Sequence, residues 1–504
     1  MIERSGNSLQ HLCLNALGQH PDSKAFEFEG RCYTWGQLRT VADKLNGLLD
    51  RARVKQQAPV GFMPRNRPSA IGAMVGMLSR GRSIRMIHAF QSPTRAAAEV
   101  ARLRLSAIVA ASEELSPEVM TVAKEQGLAA VALLDSDAEF ASGATLCRAL
   151  EDPNAYRSPT MEILSSGTTG TPKHVPFSYE MIYRDIVNSP AAALASIEAA
   201  KGAPGILYFP VSNVSGFCSL LPMILKGKSV VLMDRFTLNG WLDFTRRYKP
   251  EIGGLPPAGI RMVLDADVPK EDLSCMKVLY TGAAPLEPLI QAAFEDKYGI
   301  PILILYGATE FAGPVAAMTL ELHQRYGRSK LGTVGKAAFG ASLRIVDPTT
   351  FKELAPSQEG ILEVIAPRRG TGWFRTSDIG MIDEDGFLFL RGRADGAIVR
   401  GGFKLLPEAI EKALLLHPAV SFAVVVGLPD DRLGQVPAAA VQLRPGAEVP
   451  ALAELELHLR DHVLATHVPT RWIIVEQLPR TVSFKVDMER VRRLFTEALE
   501  SSRA

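Results

Sequence analysis

The chain has 504 residues, more than one hydrophobic core supports, so two or more domains are expected. Apolar residues make up 47% and charged residues 22%, the make-up of an ordinary soluble globular protein. A net charge of +2 gives no global electrostatic case for nucleic acid or an anionic membrane as partner.

The opening MIERSGNSLQHL has no apolar run of signal-peptide type, and nothing approaches the about 18 apolar residues of a membrane span. Five cysteines (Cys13, Cys32, Cys147, Cys218, Cys275) stand far apart with no CxxC, which argues against a disulfide framework or zinc and fits a reducing cytoplasm. In chain order, TWGQLRTVADKLNGLLDRA (34–52) has helical spacing, APVGFM (58–63) is strand-like, and PSAIGAMVGMLSRG (68–81) is helical again. KSVVLMD (228–234), IPILILYG (300–307) and SLRIVD (342–347) read as buried strands, each close to a helix-like stretch. This alternation predicts a doubly wound, largely parallel α/β sheet.

After about residue 393 the texture changes. A Gly turn and an amphipathic helix occupy AIVRGGFKLLPEAIEKALLLHPAV, and SFAVVVGLPD, VPAAAVQLR and RWIIVEQLP supply three strands. ALAELELHLRDHVL adds a helix between the last two, on which His458 and His462 fall four apart; without a further ligand they read as solvated. ERVRRLF (489–495) reads as one solvated helix face. The expected organisation is a large domain over 1–392 and a small α+β domain over 393–504.

Between two strand-like segments lies ILSSGTTGTPKHVPF (163–177). Glycines let successive backbone N–H groups face one concavity, hydroxyls add donors and Lys173 adds charge, which together suit a triphosphate. The Walker pattern fails, because Lys173 follows Thr-Pro and precedes His174; taken alone, a Gly/Ser/Thr loop favours a plain surface linker. LKGKS (225–229) has Pro222 where a first phosphate-loop glycine should be, and reads as a turn before a strand.

SSGTTGTPK resembles the phosphate loop of the acyl-adenylate-forming superfamily, which includes acyl-CoA synthetases, aryl-CoA ligases, adenylation domains and luciferases. TGAAPL (281–286), YGATE (306–310), FRTSDIG (374–380), GRADGAIVRGGFKL (392–405) and PRTVSFK (479–485) follow in that family's order. The resemblance implies a large N-terminal α/β domain, a small mobile α+β C-terminal domain, and ATP-dependent conversion of an acid to an acyl-AMP and then a thioester. It implies that Ser165, Ser166, Gly167, Thr168, Thr169, Gly170, Thr171 and Lys173 hold the β- and γ-phosphates. Ala283, Ala284 and Pro285 would line the adenine slot, Tyr306 beside Gly307 would stack on the base, and Thr309 would donate to the α-phosphate. Glu310 would hold Mg²⁺, Asp378 the ribose hydroxyls, and Arg393 the ribose or phosphate. Lys485 would bridge the incoming carboxylate and the α-phosphate. Asp395 would be the hinge, with Gly401, Gly402 and Lys404 along the CoA tunnel.

The pattern is also departed from. Asn213 stands where relatives carry a His or aromatic beside the acid pocket of Val211, Val214 and Phe217. Val214 replaces the Asp that pairs with an α-amino group, so an α-amino acid is not the expected substrate, since a buried ammonium would lack its partner. Ser377 replaces Gly in TGD, His174 the Gly after Lys173, Phe484 the Gly before Lys485, and the 363–378 segment is short. The expectation is a cytoplasmic ligase using ATP, Mg²⁺ and CoA on a fatty or aromatic acid. The alternatives are an adenylating enzyme that loads an acyl carrier protein, and an inactive nucleotide-binding relative.

Overall fold

Thr34 ends a strand and starts a helix: its hydroxyl accepts from Gln37 N while the Gln37 side chain accepts from Thr34 N, a reciprocal cap that opens the helix Trp35–Arg51. The computed structural model describes residues 8–141, 159–164, 173–188, 203–400, 403–430, 432–481 and 485–501. The chain divides into two compact units, one of Met1–Gly167, Thr171–Glu251 and Ala308–Gly313, the other of Thr168–Gly170, Ile252–Gly307 and Pro314–Ala504.

In the first unit the helix Pro68–Ser79 is buried along its whole length. Its apolar surface runs all round, as expected of a helix enclosed by other elements. A Cβ on Gly76 would lie 2.6 Å from Ala42 Cβ, so the crossing with Trp35–Arg51 requires glycine there. Asn46, buried at that crossing, donates to Ala42 O and Gly76 O and accepts from Arg82 Nε, which satisfies it. The strands Ala129–Leu133, Ala107–Ala111, Val60–Met63, Ile84–Met86 and Thr160–Leu164 run parallel in that order, with Ala138–Phe140 and His174–Ser178 antiparallel at the two edges. A second sheet of this unit sets Gly205–Leu207, Val230–Leu232 and Lys24–Phe28 parallel, with Arg31–Thr34 closing it as a hairpin.

In the second unit Ile252–Gly254, Val278–Gly282 and Ile302–Ala308 are parallel neighbours. Ser342–Val346, Glu359–Ile365, Phe374–Ile382 and Leu388–Arg393 form an antiparallel sheet. This corrects the reading of SLRIVD as a buried strand in the βα alternation. Its N-terminal half is partly exposed, and Asp347 accepts from Thr349 N and Thr350 N, closing a turn where a crossover helix would have to start. The last sheet pairs Phe403–Leu405, Ile398–Arg400, Gly434–Leu443 and Val420–Asp430, with Arg471–Val475 parallel to Gly434–Leu443. The C-terminal helix Met488–Ser501 buries Val491 and Phe495 and exposes Arg490, Arg492 and Arg493, the solvated face expected of it.

The helix Leu452–Arg460 stops before His462, whose Nδ1 lies 2.8 Å from the His458 carbonyl. His458 is half-buried with Nε2 2.9 Å from Ala413 O, so it packs against the helix Pro407–Leu415 and is not a solvated residue as expected. Among the described residues no group of three or more His, Cys, Asp or Glu is placed to hold a metal ion, and no helix is long and apolar enough to cross a membrane.

Candidate active site

Parallel strands present their C-terminal ends together, and ligands bind in the crevice outside those ends. Gly282 is in register with Leu305, so Ala283, Ala284 and Pro285 leave one strand beside the point where Tyr306 and Gly307 continue the next. Ala283 holds φ at +66°, a left-handed conformation that a non-glycine residue adopts only under local constraint. It and Pro285 are exposed, and Ala284 is half-buried.

Tyr306 donates its hydroxyl proton to Asp378 Oδ2. Asp378 stands opposite Arg393 in the antiparallel ladder, and Arg393 Nη1 lies 3.6 Å from Asp378 Oδ1. The Asp378 backbone N–H is in turn fixed by Thr376 Oγ1 at 2.9 Å. Arg393 also grips Asp395, with Nε to Oδ1 at 2.8 Å and Nη2 to Oδ2 at 2.6 Å, a two-pronged pairing. That hydrogen bond holds Asp395 below the usual carboxylate range and raises Arg393. Tyr306, Asp378, Arg393 and Asp395 therefore form one continuous polar network, four residues named by the sequence and gathered from three segments of chain.

The remaining predicted residues lie elsewhere. Thr309 and Glu310 occupy the short 3₁₀ turn Thr309–Phe311, closed by Ala312 N donating to Thr309 O with Ala312 at φ +60°. Thr309 is buried and Glu310 half-buried. Lys173 is exposed at the start of the strand His174–Ser178, while residues 165–172 and with them Ser165 to Thr171 lie outside the described residues. Gly401, Gly402 and Phe484 also lie outside them; Lys404 sits in the strand Phe403–Leu405, opposite Val399. Lys485 is half-buried, and its carbonyl accepts from Thr481 N at 2.7 Å, next to the Arg480–Val486 bridge.

Of the expected acid pocket, Val211 and Phe217 are fully buried in the core of the first unit and Val214 packs against that core from its edge. Asn213 precedes the helix Val214–Leu225 as its N-terminal cap residue.

Two residues of this region were not singled out by the sequence. Asn66, 2% exposed, accepts from Val211 N and donates to Phe209 O and Met233 O, each at 3.0 Å, so one amide pins the segment before Asn213. His88, just past the strand Ile84–Met86, has Nδ1 3.4 Å from the hydroxyl of buried Ser212. Burial, followed by the nearby His174 and Arg95, pushes His88 down to about 4, so its ring is neutral at pH 7. The available signal for His88 was its place at the C-terminal end of a parallel strand.

Residues 14–372 match the family described as AMP-binding enzyme, and residues 409–485 match the AMP-binding enzyme C-terminal domain. The chain is 26% identical over 484 residues to 4-coumarate–CoA ligase 3 of Oryza sativa, covering 91% of this chain and 86% of that protein. It is 33% identical over 349 residues to the 2-succinylbenzoate–CoA ligase of Geobacillus kaustophilus, covering 66% of this chain and 68% of that one. In fold it is similar to ATP-bound MatB from Rhodopseudomonas palustris, with a TM-score of 0.77 at 21% identity, over 96% of this chain and 99% of the other.

Proposed function

We propose that this chain, which belongs to the AMP-binding enzyme family, is an ATP-dependent acid–CoA ligase that forms an acyl-AMP and then an acyl-CoA. The observation that carries this reading is the network of Tyr306, Asp378 and Arg393 beside the ends of parallel strands, inside a chain matched along most of its length to CoA ligases. In the first half-reaction a carboxylate oxygen of the acid attacks the α-phosphorus of ATP and the bond to pyrophosphate breaks. In the second, a thiolate sulfur attacks the acyl carbon and the bond to AMP breaks.

The first half brings anion to anion, so cationic and donor groups must surround both. Lys485 supplies a compact ammonium with three donors for the carboxylate and the α-phosphate. Lys173 and the 165–173 loop receive the β- and γ-phosphates, and Thr309 donates to the α-phosphate. Asp378 accepts from the ribose hydroxyls, with Arg393 beside it and Tyr306 against the base. Glu310 offers the carboxylate oxygen that Mg²⁺ takes, and that ion supplies positive charge for the phosphates when bound. Residues 1–392 hold ATP and acid, and 393–504 move about Asp395 to exchange Lys485 for the thiol path of Gly401, Gly402 and Lys404. The acid is fatty or aromatic: Val211, Val214 and Phe217 are apolar, and relatives are named for 4-coumarate and 2-succinylbenzoate. We place the enzyme in the cytoplasm.

Purified protein with Mg-ATP and a panel of fatty and aromatic acids, with and without CoA, tests the reading through AMP release. Acid-dependent AMP that rises with CoA, and falls by about 100-fold or more in Lys485→Ala, is expected for loss of a group acting on the developing charge. Acid-dependent pyrophosphate indifferent to CoA would move the thiol acceptor to a carrier-protein pantetheine. No turnover with any acid would overturn the reading.

A further inference from the structure

The strand Leu388–Arg393 ends in the turn Ala394–Gly396, and the chain then enters the strand Ile398–Arg400. Pairing with Phe374–Ile382 skips a residue here: Ile379 faces Gly392 and Gly380 faces Leu390. Such a bulge bends its strand and re-aims the side chains beyond it. Gly392 takes φ +153°, and a Cβ on it would lie 2.6 Å from Glu408 Oε2. Glu408 Oε1 in turn accepts from the Arg393 backbone N–H at 3.3 Å.

Past the bulge, the Arg393 guanidinium reaches Ser377 as well as Asp378 and Asp395, with Nη2 donating to Ser377 Oγ at 3.1 Å. After Arg393, Ser377 also helps hold the Asp395 carboxyl below its ordinary value. The same Nη2 donates to Asp395 Oδ2 at 2.6 Å, so one guanidinium nitrogen joins the hydroxyl to the carboxylate. Glycine at 377 would remove this tie and leave the ladder pairing and the 3.6 Å Asp378 contact as what joins Arg393 to the strand that carries Asp378.

We propose that Ser377 is a positioning residue: its hydroxyl, accepting from the Arg393 nitrogen that also donates to Asp395, ties the 394–396 turn to the strand of Asp378 and so sets the balance between the two half-reactions. The assignment rests on the ligase reading. A change of direction at Asp395 pulls on the Arg393 nitrogen that Ser377 also holds, so the hydroxyl opposes that change, while Asp378, the next residue along, stays where it is.

The test compares wild type, Ser377→Ala and Ser377→Thr in two assays: acid-dependent exchange of labelled pyrophosphate into ATP, and CoA-dependent thioester formation. Removing one hydrogen bond between charged partners and a hydroxyl should shift the ratio of the two rates by about tenfold in Ser377→Ala. Ser377→Thr, which keeps the hydroxyl, should restore the wild-type ratio. A residue needed only for folding would lower both rates together and leave the ratio alone. An unchanged ratio in Ser377→Ala, or a Thr variant that behaves like Ala, overturns the assignment while the ligase reading stands. A wild type with neither activity overturns both.

Discussion

The proposed nucleotide site and the proposed acid pocket, each taken by itself, are built by opposite means. At the first, half-buried Tyr306, Asp378 and Arg393 on strands and exposed Asp395 in the turn that follows are charged or hydroxylic groups, each holding another in place. At the second, Val211 and Phe217 are core residues, and the chain between them is positioned by buried polar contacts from Asn66 and His88. The first arrangement presents functional groups without depending on their burial. The second cannot be altered without altering the core. Substitutions at the nucleotide end should therefore cost catalysis and spare stability, and those at the acid end should cost stability first.

Asp378→Ala should separate the two most widely. It removes the acceptor of the Tyr306 hydroxyl and one carboxylate facing Arg393, together with the proposed ribose partner. Loss of charged hydrogen bonds of this kind predicts a fall in kcat/KM for ATP of about 100-fold. Thermal unfolding should move little, because the group is not part of a core. Unfolding that drops as far as activity does would collapse the distinction between the two ends.

Asn66→Ala probes the other end. Three hydrogen bonds are lost, and Val211 N, Phe209 O and Met233 O lose the partner that Asn66 supplied. The cost should be about 2–3 kcal/mol of stability. The midpoint of the first unfolding transition should fall by several degrees, followed by scanning calorimetry. ATP affinity should hold, since Asn66 acts on the backbone at Phe209, Val211 and Met233. A variant as stable as wild type would show that this segment is held by something other than that amide.

The same contrast governs what was legible in the sequence. Tyr306, Asp378 and Arg393 sit in short motifs where each functional residue is flagged by its immediate neighbours, and the helix Trp35–Arg51 announced itself through its apolar spacing. Asn66 lies in PRNRP, which has no periodicity, and its partners are 143 to 167 residues away in the chain. Nothing local could identify it. Ser342–Val346 was visible as a strand, but its partner was set by the Asp347 turn, a matter of two backbone N–H groups donating to one side-chain carboxylate. Ser377 was visible only as an odd residue in TSD, and its hydroxyl gained a meaning once the bulge at Gly392 aimed Arg393 at it.

A further effect lies where carboxyl groups of the small α+β region crowd together with Glu287. Glu411 Oε1 accepts from Val425 N at 2.8 Å, and burial, then Glu408 and Glu287, pushes its carboxyl up to about 8. Burial also raises Glu408 and Glu287, partly offset by Lys412, and Glu408 Oε2 is buried without a hydrogen-bond partner among the described residues. A carboxyl raised from 4.5 to about 8 binds its proton more tightly in the folded state than in the unfolded one. Its stabilising contribution is therefore fully present below pH 4.5 and is lost as pH rises through about 8. Wild-type thermal stability should decline across that window, and Glu411→Gln, which carries no titrating proton and keeps an acceptor for Val425 N, should flatten the decline. Parallel pH profiles for the two proteins would mean that Glu411 is ionised in the fold at neutral pH, and that the crowding of Glu287, Glu408 and Glu411 is relieved by solvent rather than by a bound proton.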